Sequence, residues 1–251
     1  MVDTGRVVAV VPVRMGSSRL PGKVMMNVNG VPLLGYIMDR LALSSKIDEV
    51  VVATSVAAKN DVIQSYCADR NTPCYRGSED DVLDRLVQAL KQNNAAIGVL
   101  VFGDCPLIDP EIVDFLVEQY LVNPGHDFVS NDLKTTYPPG MEVEVFSINA
   151  LEDAATTCDD PTIREHGTLF IRQNPERYSL LNIEAPEELS RPELELEVDA
   201  AEDLFVVEGI LEHFKGRTDF HLSEIIHFMD TNSELAKSNQ SIPRRWKEFR
   251  Q

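Results

Sequence analysis

The chain has 251 residues, of which 43% are hydrophobic, and this is enough for one large α/β domain with a sizeable core. Its formal net charge of −18 argues against nucleic acid and anionic membranes as partners, because both require a basic surface. A nucleotide remains compatible with this charge, since one local cationic pocket is enough to bind it. No apolar run approaches the length of a membrane span, and the N-terminus has no secretory signal. The cysteines show neither a Cys-x-x-Cys pair nor zinc spacing, so we expect a reduced, cytoplasmic protein.

The first half of the chain alternates predicted strands and helices. Apolar β-branched runs predict strands over residues 7–11, 50–53, 73–75 and 98–102. Apolar positions at helical spacing predict helices over residues 32–41, 60–69, 80–92 and 109–122, the last with Asp109 as its N-cap. This alternation predicts the α/β class, with a mainly parallel sheet covered by helices on both faces.

The second half of the chain has a less regular pattern. Strands are predicted over residues 128–130, 141–146, 178–183 and 194–199, and helices within residues 148–175, 201–214 and 223–229. Residues 231–251 contain few apolar side chains and several cations, so we expect a partly mobile tail with Trp246 as its anchor. The predicted organisation is one domain over residues 1–230, followed by a C-terminal tail over residues 231–251.

A cationic loop directly follows the first predicted strand. It reads Val13-Arg-Met-Gly-Ser-Ser-Arg-Leu-Pro-Gly-Lys23 and carries the cations Arg14, Arg19 and Lys23. Glycines and free backbone N–H groups let such a loop wrap a polyphosphate. Ligands of parallel α/β sheets bind beyond the carboxyl ends of the strands, which is where this loop lies. The loop therefore predicts a site for a nucleoside triphosphate or a similar polyanion.

The same loop differs from the common phosphate-binding motifs. Gly16 and Gly22 enclose five residues, whereas a Walker A loop has four, and Val24 stands where that loop has a serine or threonine. The Rossmann Gly-x-Gly-x-x-Gly fingerprint is absent as well. A plain glycine-containing turn with surface cations is the alternative interpretation.

Two aspartates follow predicted strands and are candidate Mg²⁺ ligands. Asp104 comes after the strand over residues 98–102, and the hard cation prefers carboxylate oxygens that it shares with phosphates. The alternative for Asp104 is a turn-forming residue before Pro106. Asp199 ends another predicted strand, and its alternative is an N-cap with Glu202 at the third helical position. From the residues alone, both interpretations of Asp199 stay open.

Several motifs resemble the cytidylyltransferases that make CMP-activated acidic sugars, such as CMP-Kdo synthetase and acylneuraminate cytidylyltransferase. The nearer resemblance is to the branch of the spore-coat polysaccharide biosynthesis protein F. It covers about residues 6–210, and the residues that carry it are 13–23, 76–85, 103–110, 137–140, 142–146 and 164–166. The resemblance implies a Rossmann-like nucleotidyltransferase domain of the GT-A-like type, with an acceptor-binding and dimerisation extension in residues 130–190.

The resemblance also implies roles for individual residues. The catalytic residues would be Arg14, Arg19 and Lys23, which bind the triphosphate and neutralise its charge. Asp104 and Asp199 would hold Mg²⁺. The nucleotide would be bound by Val13, Gly16, Ser17, Ser78, Arg85 and Gly103, with Arg85 facing the base. The acceptor side would comprise Glu144, Arg164, Glu165 and His166. The implied reaction is transfer of CMP from CTP to a small acceptor by a homodimer, with release of pyrophosphate, for surface polysaccharide or glycoconjugate biosynthesis.

Departures from the family pattern leave the acceptor open. Phe102 stands where CMP-Kdo synthetases have glutamine, Gly167 where the near branch has a bulkier residue, and Glu195 where that branch often has a cation. A nonulosonic or octulosonic acid, a phosphonate and a phosphorylated metabolite all remain candidates. A glycosyltransferase that uses a nucleotide sugar is an alternative, although the chain has no Asp-x-Asp motif. A non-catalytic nucleotide-binding protein is another, which the retained cations and aspartates disfavour.

Overall fold

The computed structural model describes residues 5–244, so the expectation about Trp246 lies outside the described residues. Its strands are β1 Val7–Pro12, β2 Asn27–Val28, β3 Val31–Pro32, β4 Glu49–Ser55, β5 Cys74–Gly77, β6 Ile97–Leu100, β7 Phe128–Ser130, β8 Glu144–Ser147 and β9 Leu180–Asn182. Its helices are α1 Leu33–Leu41, α2 Asp61–Asp69, α3 Val82–Gln92, α4 Pro110–Val122, α5 Ile148–Thr157, α6 Pro161–Arg164, α7 Leu169–Gln173, α8 Ala201–His213, α9 Leu222–Thr231 and α10 Ser233–Lys237.

Seven strands form one sheet in the order β5-β4-β1-β6-β8-β7-β9. Strand β8 runs antiparallel to its neighbours β6 and β7, and the other pairs in this sheet are parallel. Along β1, Ala9 and Val11 belong to one hydrophobic core and Val8 and Val10 to the other. Both faces of the sheet are therefore covered, as the continuous apolar runs predicted, and the mainly parallel α/β fold is confirmed.

The helix α4 begins as its sequence predicts. The Asp109 carboxylate accepts a hydrogen bond from the Glu111 N–H at 2.9 Å, and Pro110 occupies the first helical position. Proline is tolerated there because the first helical N–H groups have no partner within the helix. The predicted N-cap is thus confirmed, and it fixes the chain just after the loop that carries Asp104.

In the second half of the chain, one predicted strand is shorter in the structure, and one predicted helical region is divided into several helices. The strand predicted over residues 141–146 begins at Glu144, because the Asn131 side chain pairs with the Val143 N–H and the Met141 carbonyl. The helical region predicted over residues 148–175 divides into α5, α6 and α7. A new N-cap at Asp160 starts α6, and Gly167, with a φ of 61°, separates α6 from α7.

The prediction of a strand over residues 194–199 is wrong. The segment is irregular, because its backbone bonds go to two different parts of the chain. The Leu196 N–H donates to the Pro139 carbonyl at 2.7 Å, and the Val198 N–H donates to the Asp104 carbonyl at 2.8 Å. Alternating apolar residues produced the strand-like pattern, since Leu194, Leu196 and Val198 are all buried. The segment nevertheless brings Asp199 beside the loop of Asp104.

Residues 232–244, which follow α9, pack onto the domain instead of extending away from it. Helix α10 contacts α8 through Leu235, which lies against Gly209. Asn239 and Arg244 are buried as well. Among residues 5–244, no helix combines the length and the apolar character needed to cross a bilayer.

Candidate active site

A cavity of about 540 Å³ lies beyond the carboxyl ends of β1 and β6. Ten of the residues predicted from the sequence line it: Val13, Arg14, Gly16, Ser17, Arg19, Lys23, Gly103, Asp104, Glu165 and Asp199. Phe102 and Ser18 contribute to the same lining. The structure therefore brings the cationic loop and both aspartates into one site, at the sheet edge where parallel α/β folds bind ligands.

Lys23 links the two aspartates across this cavity. Its ammonium nitrogen lies 3.0 Å from Asp104 Oδ2 and 2.9 Å from Asp199 Oδ1, and it donates to the Val198 carbonyl at 2.6 Å. The Lys23 side chain is 11% exposed. Burial lowers the pKa of Lys23, but the two carboxylates more than offset this and hold the pKa above its usual value. Lys23 is therefore a charged ammonium across the physiological pH range.

Asp199 lies between two cations. It pairs with Lys23 and also accepts a hydrogen bond from Arg19 Nη2. Burial raises the pKa of Asp199, but the charges of Lys23 and Arg19 outweigh burial and keep that pKa below its usual range. The N-cap interpretation of Asp199 is wrong, because Ala200 is the N-cap residue of α8, and the Asp203 carboxylate accepts the Asp199 and Ala200 N–H groups at 3.0 and 2.8 Å. The Asp199 carboxylate is thereby left to face the cavity.

The cationic loop is closed by its own backbone. The Gly22 N–H donates to the Met15 carbonyl at 3.0 Å, and Gly22 has a φ of 73°, which favours glycine. A short 3₁₀ turn, Lys23–Met25, follows and directs Lys23 back beneath the loop. The loop also lies close to β6, since a Cβ added to Gly103 would be 2.4 Å from Val13 Cγ1. Gly103 is thus needed for close packing at the cavity wall.

Sequence reasoning missed the residues that support this loop from the end of β4, the turn before α2 and the segment after β5. Asn60 is fully buried, accepts the Met15 N–H at 2.8 Å and donates to Ser55 Oγ at 2.6 Å. The Ser55 hydroxyl in turn donates to the Glu79 carboxylate. Ser55 ends β4 and Glu79 comes shortly after β5, at the same sheet edge as the loop. Their positions just after predicted parallel strands could have identified Ser55 and Glu79 as candidate site residues.

Glu79 also contacts the cations around the loop. Its carboxylate pairs with Lys59 at 2.9 Å, and its backbone carbonyl accepts Arg14 Nη1 at 3.3 Å. Burial raises the pKa of Glu79, but the Ser55 hydroxyl, Lys59 and Arg14 lower it to below its usual value. Glu79 is therefore an ionised carboxylate that fixes the rim of the site.

The structure does not place the predicted base contacts in the cavity lining. Arg85 is 2% exposed, and its Nη1 donates to the Ser78 carbonyl at 2.7 Å. Ser78 Oγ accepts the Asp81 N–H at 3.0 Å at the start of α3. Arg85 supports the backbone of residues 78–79 in this structure, and its contact with the base stays a prediction.

Three of the predicted acceptor residues also lie outside the lining. Glu144 is fully buried and accepts Thr168 Oγ1 at 2.5 Å and Arg172 Nη1 at 3.0 Å. Arg164 donates to the Asp81 carboxylate and to the carbonyls of two residues at the end of α5. His166 is exposed and is not part of the lining. Burial and long-range partners, which the sequence motif does not reveal, explain where Glu144 and Arg164 lie, and their contact with an acceptor stays a prediction.

Glu165 is the predicted acceptor residue that lines the cavity. Its Oε1 accepts Arg14 Nη2 at 2.8 Å, and the two side chains are 45% and 32% exposed. This exposed pair joins the loop after β1 to the end of α6. A ligand can displace such a pair at low energetic cost, because solvent already screens both charges.

The donor set of the cavity fits a divalent cation that is shared with phosphate. Asp104 and Asp199 present oxygens to the same Lys23 ammonium, so the two carboxylates lie near each other. Mg²⁺ is commonly held by one or two carboxylates together with substrate phosphates and water. Within residues 5–244, no group of three or more His, Cys, Asp or Glu side chains could form a cage made of protein alone.

Comparisons with known proteins agree with this geometry. A family model described as cytidylyltransferase matches residues 8–239. Over 241 residues, the chain is 30% identical to the spore coat polysaccharide biosynthesis protein SpsF of Bacillus subtilis, which covers 92% of this chain and 97% of that protein. The structure of a cytidylyltransferase from Leptospira borgpetersenii matches with a TM-score of 0.88 and 30% identity, over 95% of this chain and 99% of that one.

A more distant structure shares the fold alone. CMP:2-keto-3-deoxy-manno-octonic acid synthetase, in complex with CTP, matches with a TM-score of 0.64 and 18% identity, over 83% of this chain and 99% of that one. Its match confirms the Rossmann-like nucleotidyltransferase fold. The family model, which spans most of the chain, settles the assignment. This chain belongs to the cytidylyltransferase family, and its members are nucleotidyltransferases.

Proposed function

We propose that this protein transfers CMP from CTP to an acidic sugar or another small acceptor, with release of pyrophosphate. The observation that carries the proposal is Lys23, a buried and charged ammonium between Asp104 and Asp199 at the carboxyl ends of the strands. An ammonium held in this way can meet a triphosphate without a large rearrangement of the chain. The membership of the cytidylyltransferase family supports cytidine as the donor base.

In the proposed reaction, an acceptor oxygen forms a bond to the α-phosphorus as the bond to the bridging α–β oxygen breaks. Negative charge grows on the bridging oxygen and on the departing pyrophosphate. Lys23 and Arg19 offset that charge from the cavity, and Arg14 contributes from its rim. Cations that are already in place stabilise such a transition state electrostatically, because they need no reorganisation during the reaction. No covalent intermediate with the enzyme is required.

The charge balance of the cavity supports a requirement for Mg²⁺. Its lining contains three cations, Arg14, Arg19 and Lys23, and three carboxylates, Asp104, Glu165 and Asp199. The carboxylates already neutralise the cations, so a triphosphate would bring an uncompensated negative charge. Asp104 and Asp199 would hold Mg²⁺, which would supply the missing positive charge beside the phosphates when it is bound.

The acceptor would bind beside the triphosphate in the same cavity. Phe102 and Glu165 line the cavity, whereas Arg164 uses its guanidinium to bind Asp81 and backbone carbonyls. Recognition of the acceptor would therefore involve the cavity wall and the exposed Arg14–Glu165 pair. The predicted homodimer, with its interface in residues 130–190, and the predicted cytoplasmic location stay predictions.

Thermal stabilisation by nucleotides tests the donor without knowledge of the acceptor. CTP, GTP, UTP, ATP and a panel of nucleotide sugars are each added with Mg²⁺, and the melting temperature is measured. A ligand that binds only the folded protein raises the melting temperature by mass action. We expect a clear rise with CTP, after which release of pyrophosphate identifies acceptors among acidic sugars, phosphonates and phosphorylated metabolites. A rise with a nucleoside diphosphate sugar alone would contradict the proposal and favour a glycosyltransferase.

A further inference from the structure

We propose that residues 239–244, here called the C-terminal strap, are a positioning element of the active site. In this proposal Arg244 acts through Asp203 to hold the backbone of Asp199. The inference rests on the proposed function, because it concerns the carboxylate that would hold Mg²⁺. The strap contains two buried polar residues, Asn239 and Arg244. Hydrogen bonds connect both of them to Asp203, next to the cavity residue Asp199.

Asp203 is the residue through which the strap and the cavity are joined. It is fully buried in the first turn of α8. Its Oδ2 accepts the N–H groups of Asp199 and Ala200 at 3.0 and 2.8 Å. Its Oδ1 accepts Asn239 Nδ2 at 2.8 Å and Arg244 Nη2 at 2.7 Å. One carboxylate oxygen thus fixes the backbone of Asp199, while the other is fixed by the strap.

Arg244, which donates to Asp203, is almost completely buried. Its side chain is 1% exposed, and its Nη2 also donates to the Asn239 carbonyl at 2.9 Å. Burial lowers the pKa of Arg244, but Asp203 and Glu195 more than compensate, and the pKa lies above its usual value. Among residues 5–244, the Nη1 atom has no hydrogen-bond partner, which is costly for a buried donor. A buried ion pair with an unsatisfied donor contributes little to stability, and therefore a role in placing other groups accounts for it better.

The strap also contacts the cationic loop. The Pro243 carbonyl accepts Arg19 Nη1 at 3.4 Å, and Arg19 Nη2 donates to Asp199. The strap thus lies against both members of the Arg19–Asp199 pair, against Arg19 directly and against Asp199 through Asp203. Partners behind a metal ligand set its orientation, and their loss typically weakens metal binding roughly 10- to 100-fold.

The variant Arg244→Lys tests the proposal, because it keeps the charge and replaces the guanidinium, whose Nη2 donates to both Asp203 and the Asn239 carbonyl, by a shorter side chain. The matched control is Arg40→Lys. Arg40 is fully buried as well and donates to the carbonyls of Ile108, Thr218 and Phe220 at 2.6 to 2.8 Å. None of these carbonyls belongs to the lining of the cavity. Both variants should lower the melting temperature of the ligand-free protein.

Binding of Mn²⁺ in the presence of CTP separates the two variants. The free ion is measured by electron paramagnetic resonance, and CTP binding without metal is measured by calorimetry in EDTA. We expect Arg244→Lys to weaken Mn²⁺ binding at least tenfold, while Arg40→Lys binds Mn²⁺ as the wild type does. Because Arg244 acts on the metal ligand, CTP affinity in EDTA should change less than threefold.

A milder variant, Asn239→Ala, removes one bond to Asp203 and keeps the proposal testable if Arg244→Lys does not fold. It should weaken Mn²⁺ binding in the same direction and by a smaller factor. The inference fails if both strap variants bind Mn²⁺ like the wild type, or if the control weakens binding equally. Absence of CTP-dependent Mn²⁺ binding in the wild type would instead overturn the proposed function, and the inference with it.

Discussion

The two halves of the molecule supply the cavity in different ways. In the first half, Lys23 and Asp104 follow strands β1 and β6, so the parallel sheet itself brings them to one edge. In the second half, Asp199 lies on an irregular segment whose backbone bonds go to two separate parts of the chain. Side chains hold that segment in place, chiefly Asp203 with its partner Arg244.

This difference shows that a regular sheet can position one wall of a site, while long-range polar contacts position the other. The first wall depends on hydrophobic packing of the strands, which is spread over many residues. The second wall depends on a few buried hydrogen bonds, and each is costly to lose. We therefore expect substitution of Asp104 to act mainly on chemistry, and substitution of Asp199 to act on chemistry and stability together.

The largest effect is expected at Lys23, which touches both halves of the site. Lys23→Met should lower turnover roughly 10²- to 10³-fold, because a preorganised cation beside the phosphates is lost. Release of pyrophosphate with CTP and a competent acceptor measures this. Lys91→Met is the control, since Lys91 forms an exposed pair with Glu152 at 2.7 Å. Near-normal turnover in Lys23→Met would remove Lys23 from the mechanism.

The two aspartates allow the halves to be compared directly. Asp104→Asn and Asp199→Asn should both abolish most turnover. Asp199→Asn should also lower the free energy of unfolding by about 2 kcal/mol, because two charged partners lose a buried carboxylate. Asp104→Asn should lower it less, since the Asp104 side chain is 29% exposed and that of Asp199 is 11% exposed. Urea denaturation measures both values, and equal losses would argue against the proposed difference between the halves.

Removal of the Asn60 side chain, which supports the cationic loop, should have a smaller effect, mainly on the binding of CTP. Asn60→Ala removes the acceptor of the Met15 N–H and should raise the KM for CTP several-fold more than it lowers kcat. The expected loss of stability is about 1–3 kcal/mol for a buried polar contact. Asn174→Ala, which removes a bond to the Phe170 carbonyl at 2.7 Å, is the control. An unchanged KM would mean that the loop keeps its shape without Asn60.

The smallest effect concerns pH. The pKa of Asp199 is lower in the folded chain than in the unfolded one, so its ionised form stabilises the fold. That contribution is complete well above the unfolded pKa of about 3.9 and is lost as the pH falls through the folded pKa. The difference in unfolding free energy between wild type and Asp199→Asn should therefore shrink below about pH 4. Denaturation curves between pH 3 and 7 measure it, and a difference that grows in acid would reverse the assigned sign.

The parts that the sequence predicted are those that depend on contiguous residues. The loop with Lys23, the strands β1 and β6 and the cap at Asp109 follow from local patterns. Contacts between distant residues were not predictable in this way. Asn60 supports Met15 across 45 positions, and Arg244 reaches Asp203 across 41, without any local pattern that signals either contact.

The same reasoning explains why some predicted site residues lie outside the lining of the cavity. Arg85 and Glu144 lie in motifs of the family, but burial turns Arg85 towards backbone carbonyls and Glu144 towards Arg172. A motif indicates that a residue type is needed at a position and does not say whether its side chain meets the ligand. Asp199 was ambiguous for a related reason. Its sequence pattern did not show that the Asp203 carboxylate, and not that of Asp199, would accept the backbone N–H groups at the start of α8.

Calorimetric titration of CTP into the wild-type protein and into Lys23→Met, with and without Mg²⁺, tests the central claim most directly. We predict that the wild type binds CTP, that Mg²⁺ strengthens this binding, and that Lys23→Met loses at least tenfold in affinity under both conditions. Binding of CTP that is equally strong in both proteins and indifferent to Mg²⁺ would contradict the assignment of this cavity to the triphosphate and its metal.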